Sequence, residues 1–239
     1  MAFQVLALIA ARSGSRGLKN KNIRRVAGGP LLVHAIDLAR SCRRSGEAWR
    51  IVVSTDSKGY AAIARSAGAE VPFLRPAVLA TDRARLIDVV RHALETLQNR
   101  GARFDAVVLL SATTPLTTRA DVRRGITLFQ RSRLAVVSVT PDRVPDAWRF
   151  AIERGRVITV GQSSRVGRRQ EAPKRYHLNG AVYIAAPEWI EHHGQFFVSG
   201  RTLPLLMPRE RSLDIEDRFD LAIAEFLRSR NTKEIRQRV

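Results

Sequence analysis

Along most of the chain, short apolar runs of strand length alternate with longer segments in which apolar residues recur every three or four positions. The first run, Phe3 to Ala10, is nearly all apolar and reads as a strand buried on both faces. Pro30 then opens a helix over Leu31 to Ser41, with Leu32, Ala35, Ile36 and Ala39 on one face. Arg50 to Ser54 reads as a strand, and Thr55-Asp56-Ser57 as the N-terminal signal of a helix over Gly59 to Ala67. An extended piece, Glu70 to Leu74, leads through Arg75-Pro76 to a long helix near Arg83 to Gln98. Phe104 to Leu110 is the most hydrophobic strand, followed by a loop from Ser111 to Thr118, a helix from Ala120 to Arg131 and a strand from Leu134 to Val139. Further on come a strand at Gly180 to Ala185, a helix near Pro187 to His193, a strand at Thr202 to Met207 and a last helix near Arg218 to Ser229. This alternation predicts a doubly wound, mostly parallel α/β sheet with helices on both faces, of the Rossmann-like kind.

The pattern breaks from about 141 to 178, where Gly, Pro, Gln and Arg dominate. A stretch of that length is too long for a plain connection inside a compact core, and a lid, a dimerisation arm and a disordered insert are its possible forms. The apolar pieces Trp148 to Ile152 and Arg156 to Val160 around Arg154-Gly155 favour a β-hairpin arm. The expectation is a single domain over residues 1–239 carrying that inserted arm.

Composition narrows the class. Hydrophobic residues are 45% and charged residues 26% of the chain, and no apolar run approaches the length of a membrane span. The apolar start lacks a basic leader and runs straight into a glycine loop, which favours a buried strand over an export signal. One cysteine, Cys42, excludes an internal disulfide and fits a cytoplasmic location. The formal charge of +19 invites a nucleic-acid reading, but 36 of the 41 basic residues are Arg, scattered with no tail, basic helix or RNA-binding aromatic signature. Anionic substrates and Arg-rich solvated faces explain that charge better.

Candidate chemistry begins directly after the first strand. From Ala11 to Asn22 the chain carries Ser13, Gly14, Ser15 and Gly17, which let backbone N–H groups turn toward an anion, and Arg12, Arg16, Lys19 and Lys21 as compensating cations. These residues predict a nucleotide triphosphate site, with a basic surface turn as the plainer alternative. The loop has neither the Gly-x-Gly-x-x-Gly fingerprint nor a Gly-Lys-Ser/Thr ending.

Motifs in order along nearly the whole chain resemble the acylneuraminate cytidylyltransferases, the CMP-sialic acid synthetases and their relatives. They are Ala10-Ala11-Arg12-Ser13-Gly14-Ser15-Arg16-Gly17-Leu18 with Lys19-Asn20-Lys21-Asn22, then Ser54-Thr55-Asp56, then Val71-Pro72-Phe73-Leu74-Arg75-Pro76 with Leu79-Ala80-Thr81-Asp82, and Asn179-Gly180-Ala181-Val182-Tyr183-Ile184. The resemblance implies transfer of CMP from CTP to the anomeric hydroxyl of a nine-carbon α-keto acid sugar, with release of pyrophosphate. It implies Arg12 and Lys21 as the triphosphate clamp, the loop at Ala11, Ser15 and Gly17 as a source of backbone donors, and Asn22 and Arg75 on the nucleotide side. Arg75 read alone is equally a surface arginine held in an extended turn by Pro76.

The resemblance also implies Mg²⁺, held by Asp214 and Glu216. In an extended segment both would face one side while Ile215 packs inward. The family has Asp at both positions, so Glu216 departs by one methylene, and a helix-capping acidic cluster is the alternative reading. The acceptor side departs further. Where the family usually reads Gln-Pro-Thr-Ser-Pro-Leu-Arg, this chain has Ser111-Ala112-Thr113-Thr114-Pro115-Leu116-Thr117, so Ser111 should leave a roomier wall. In the segment after Asp82, Arg83, Arg85 and Leu86 stand where small hydroxyl residues are usual. Arg169 and Gln170 match an Arg-Gln pair on the dimer arm, with Arg169 implied to reach a partner's sugar carboxylate across a homodimer. Phe196-Phe197 resembles an aromatic pair lining the acyl pocket, although core packing explains two adjacent phenylalanines as well, and Tyr183 offers a hydroxyl at a strand end.

The expectation is a cytoplasmic, Mg²⁺-dependent, dimeric cytidylyltransferase using CTP and an acidic sugar, with no membrane or nucleic-acid partner. A cytidylyltransferase for another acidic acceptor, such as a smaller keto-sugar acid or a phosphonate, is the first alternative. A non-catalytic basic protein that binds nucleotides or nucleic acid is the second.

Overall fold

The computed structural model describes residues 2–15, 17–144, 148–159 and 174–230. In chain order it contains β1 (Phe3–Ala10), a short hairpin of β2 (Arg25–Val26) and β3 (Gly29–Pro30), α1 (Leu31–Ser41), β4 (Glu47–Ser54), α2 (Lys58–Ser66), α3 (Leu86–Gln98), β5 (Ala106–Leu110) and α4 (Arg119–Ser132). These are followed by β6 (Val136–Pro141), β7 (Phe150–Glu153), β8 (Arg156–Thr159), β9 (Tyr176–Ala185), α5 (Pro187–His193), β10 (Leu203–Leu206) and α6 (Arg218–Arg230). Six strands form one sheet in the order β10-β6-β9-β5-β1-β4. All neighbours are parallel except β9, which runs antiparallel to both β5 and β6. The mostly parallel α/β sheet expected from the sequence is therefore present.

Both faces are covered, as continuous apolar strands require. On one face Val5, Ala7 and Ile9 pack with Leu32 and Ile36 of α1 and with Phe129 of α4. On the other, Leu6 and Leu8 pack with Val90, Leu94 and Leu97 of α3. Every residue of β5 is buried. Each such fully buried Leu or Ile contributes roughly 1.5–3 kcal/mol, so a charge placed at Leu8 or Leu109 would abolish the fold. Helix starts follow local chemistry. The Ser57 hydroxyl accepts from the Tyr60 N–H at the start of α2, and Thr118 and Asp121 form a reciprocal capping box on α4.

The sheet edges are blunted. On β10 the N–H groups of Leu203 and Met207 turn to β6, which leaves Pro204 and Leu206 facing outward. Pro204 has no N–H to give, and Arg124 donates to the Leu206 carbonyl at 2.8 Å. At the opposite edge Glu70 exchanges backbone hydrogen bonds with Ile51 and Val53 of β4.

Two expectations need correction. The strand placed at Gly180 begins at Tyr176, because Val139, Thr140 and Pro141 pair with Leu178, His177 and Tyr176, so both roots of the inserted arm belong to the sheet. The β2–β3 hairpin was not foreseen. Its turn is Ala27-Gly28 with both φ positive, at 47° and 85°, a geometry usually announced by Asn-Gly or Asp-Gly. The β7–β8 hairpin lies where the arm was expected.

Candidate active site

The site is built at the carboxyl ends of β1, β4 and β5, where a parallel sheet places loops that can converge. A cleft of about 370 Å³ there is lined by Arg12, Ser15, Gly17, Lys21, Asn22 and Arg75, by Leu79, Ala84, Leu86 and Val89, and by Ser111, Thr113 and Glu216. One wall is cationic and another is apolar.

The loop after β1 is fixed from three sides. Asp56 accepts from the Ser13 N–H at 2.9 Å and the Ser13 hydroxyl at 2.6 Å. Burial raises the Asp56 carboxyl, but these hydrogen bonds outweigh it and leave the group below the usual aspartate range. Buried Asn22 closes the loop by donating its amide to the Arg12 carbonyl at 2.9 Å. The third contact explains a glycine: a Cβ on Gly17 would lie 2.6 Å from the Glu216 carbonyl oxygen, so the loop and the acidic segment approach too closely for any side chain.

Each cation has a carboxylate or carbonyl in hand. Arg12 bonds Asp82 at 2.5 Å and the Gly14 carbonyl at 2.6 Å. Lys21, with 14% of its side chain exposed, bonds Glu216 at 2.8 Å. Arg75 is buried and donates to the Ser54 hydroxyl at 3.0 Å and the Ser54 carbonyl at 2.5 Å. Burial lowers its pKa to about 10, far enough above neutrality to keep the guanidinium charged. It is not the surface residue that its turn alone suggested.

Glu216 lines this cleft, and Asp214 stands behind its wall residue Thr113. The Thr113 hydroxyl donates to Asp214 at 2.5 Å, and the Ile215 N–H donates to the Thr113 carbonyl at 2.9 Å. Ile215 is fully buried against Leu18, Val26 and Leu31, so that residue packs inward as expected. Asp217 caps α6, accepting from the Phe219 and Asp220 N–H groups. Burial pushes the Asp214 carboxyl above the usual range; the Thr113 hydrogen bond opposes that and the Glu216 charge adds to it. Two hard oxygen donors of like charge beside a cationic wall fit Mg²⁺, which would relieve their repulsion. Among the described residues no group of three or more His, Cys, Asp or Glu forms, so any Mg²⁺ held by Asp214 and Glu216 would also need oxygens from substrate and water.

Other expectations fare differently. Ala11 is fully buried with its N–H bonded to the Ser54 carbonyl, and Ala10 lines the cleft instead. The Ser15 N–H bonds the Ser13 carbonyl. Tyr183 stands inside β9, not at its end, with its hydroxyl in the field of Asp214 and its ring 5.3 Å from that of Phe196. Phe196 is buried core, whereas Phe197 is 54% exposed, and neither lines the cleft. Leu86 and Ala84 form the apolar wall while Arg85 turns away to Asp88. Arg16, Arg169 and Gln170 lie outside the described residues. Sequence reasoning gave no site role to Asp56, Asp82 or Thr113. The first two stood in quoted motifs, and Thr113 lies two residues beyond Ser111 in a hydroxyl-rich loop.

A cationic clamp and a carboxylate pair meeting at the carboxyl ends of such a sheet are the equipment of a nucleotidyltransferase. A family model described as cytidylyltransferase matches residues 6–135. A CMP-N,N'-diacetyllegionaminic acid synthase of Legionella pneumophila is 35% identical over 230 residues, covering 95% of this chain and 97% of that protein. The chain therefore belongs to the cytidylyltransferase family and is a nucleotidyltransferase enzyme. An N-acylneuraminate cytidylyltransferase of Escherichia coli is 32% identical over 237 residues; that match takes in 98% of this chain and 54% of the longer relative. A solved CMP:2-keto-3-deoxy-manno-octonic acid synthetase complexed with CTP matches 95% of this chain and 98% of its own at a TM-score of 0.67. Its 13% identity makes that a likeness of fold.

Proposed function

We propose that the protein transfers CMP from CTP to the anomeric hydroxyl of a sialic-acid-like nonulosonate, releasing pyrophosphate, with Mg²⁺ as cofactor and as a cytoplasmic homodimer. The observation that carries this reading is the convergence of Arg12, Lys21, Arg75 and Glu216 at one cleft, with Asp214 hydrogen-bonded to its wall residue Thr113, in a chain that matches relatives named for such transfers over nearly its whole length.

In-line attack at the α-phosphorus builds negative charge on the equatorial oxygens and on the departing pyrophosphate. Arg12 and Lys21 would exchange Asp82 and Glu216 for phosphate oxygens, and a largely buried ammonium such as Lys21 is worth more to that charge than a solvated one. Ser13, locked by Asp56, fixes where the loop presents these groups. Asp214 and Glu216 would hold Mg²⁺, which supplies charge neutralisation at the phosphates. The apolar wall of Leu79, Ala84 and Leu86 suits a nucleoside face.

The β7–β8 hairpin exposes Phe150, Ile152, Val157 and Ile158, a surface suited to a second copy, which supports the two-chain reading. Among the described residues no helix is long and apolar enough to cross a membrane. The small Ser111 and Thr117 favour, as a second reading, a different acidic acceptor such as a smaller keto-sugar acid or a phosphonate.

The test is pyrophosphate release with Mg²⁺ and CTP across N-acetylneuraminate, its deaminated form, legionaminate, pseudaminate and several phosphonates. Turnover of a nonulosonate is expected. Turnover of a non-sugar acid alone would replace this reading with the second, and CTP binding without turnover of any acceptor would overturn both.

A further inference from the structure

Loop 111–118, which carries Ser111 and Thr113 into the cleft, is buried from Ala112 to Thr117. A buried loop must find partners for its main-chain groups, and its own bonds are long: the Thr117 N–H to the Thr114 carbonyl at 3.2 Å, and the Thr114 hydroxyl to the Ser111 carbonyl at 3.4 Å. Besides the Ile215 N–H bond to the Thr113 carbonyl at 2.9 Å, two shorter contacts from outside hold it. One is the Thr113–Asp214 hydrogen bond described above. The other comes from the far end of α6, where Arg228 donates to the Pro115 carbonyl at 2.5 Å.

Pro115 has no N–H, so this carbonyl is its sole main-chain hydrogen-bonding group. Arg228 is half-buried, and the Asp37 charge acts on it through space, without a salt bridge between the two. An arginine in a last helical turn ordinarily serves its own helix's carbonyls; this one reaches across 113 residues of sequence to the loop. It also lines a second cavity of about 160 Å³ with His34, Ser41, Thr114, Thr117 and Ser111. Ser111 thus borders the cleft on one side and the Arg228 cavity on the other.

We propose that Arg228 is a positioning residue for acceptor binding: its guanidinium fixes the Pro115 carbonyl and so sets where Ser111 and Thr113 stand in the cleft. This rests on the reading of that loop as the acceptor wall. α6 then holds the site at both of its ends, through the acidic segment that precedes it and through Arg228 in its last turn.

The experiment compares Arg228→Met and Arg228→Lys with wild type, measuring KM separately for CTP and for the acceptor that wild type turns over best. Losing a charge-assisted hydrogen bond to a buried carbonyl should raise the acceptor KM roughly tenfold in Arg228→Met. The CTP KM should stay within about twofold, and free guanidinium ion should restore part of the loss. Hydrogen exchange without substrates should quicken in 111–118 and stay unchanged in 24–31, the segment α6 also packs on. An unchanged acceptor KM overturns the proposal. So does a parallel rise in both KM values with faster exchange in both segments, which would mark Arg228 as helix packing. If wild type turns over no acceptor, the functional reading fails and the exchange measurement decides for Arg228: faster exchange confined to 111–118 supports it, and unchanged exchange overturns it.

Discussion

The two halves of the cleft, proposed above to take the nucleotide and the acceptor, are built on different principles. On the nucleotide side the three cations that line the cleft among the described residues are already latched to oxygens: Arg12 to Asp82, Lys21 to Glu216 and Arg75 to Ser54. The acceptor side presents hydroxyls and a buried loop, with Ser111 and Thr113 hydrogen-bonded to each other at 2.9 Å and pinned through Asp214 and Arg228. A charged clamp tolerates little change, because a misplaced cation forfeits transition-state stabilisation. A wall of small hydroxyls can be recut without dismantling the charge around the phosphates. Acceptor choice can therefore change while nucleotide chemistry stays put.

Substitutions test that contrast. Lys21→Ala and Arg12→Ala should lower kcat/KM by about 10²–10³ for every acceptor alike, measured by pyrophosphate release. If the loss depended strongly on the acceptor, the two halves would not be separable. Asp214→Asn should cost about 10²-fold, with a fluorescence titration showing weaker Mg²⁺ dependence, while circular dichroism stays native.

Asp121 sharpens the contrast through stability. It is fully buried, takes two bonds from Arg211 at 2.9 and 3.0 Å, and so ties α4 to the segment leading into Asp214. Asp121→Ala should cost about 3 kcal/mol in denaturant unfolding, since it strands Arg211 and removes a helix cap. The pH dependence has a definite sign. Burial raises Asp121, but its bonds from Arg211 and Thr118 outweigh that and hold it below the ordinary 3.8. A depressed folded pKa gives stability that is complete above the unfolded value and disappears as pH falls through the folded one. The melting temperature of wild type should therefore drop steeply below pH 3.8, and less steeply in Asp121→Asn. The smallest effect is expected for Ser111→Gln: a change of roughly threefold in relative kcat/KM among acceptors with the CTP KM unmoved. An equal shift in both would erase the division between the halves.

The order of elements was readable because apolar runs as short as Phe3 to Ala10, closed by a glycine loop, fit buried strands better than helices, and because Ser57 and Thr118 mark helix starts by chemistry that acts within three residues. What escaped was set at long range. Nothing near Asp56 announces that Ser13, 43 residues away, will claim both of its oxygens. The antiparallel course of β9 follows from tertiary pairing that periodicity does not encode. In the site, Lys21, Asp214 and Glu216 were legible as types in a family pattern, yet Lys21 meeting Glu216 needed the fold. Phe196-Phe197 stayed open because adjacency says nothing about which ring turns inward; Phe196 does, as the core-packing alternative has it, and Phe197 does not.

The treatment of the sheet margins has a further outcome. With Pro204 and Arg124 stopping pairing at one edge and Glu70 occupying part of the other, a second chain has little main chain left to dock on by adding a strand. Growth into fibrils by edge-to-edge stacking is closed off at the same places. At these two margins of the six-stranded sheet, association would have to recruit side-chain surfaces instead of adding strands.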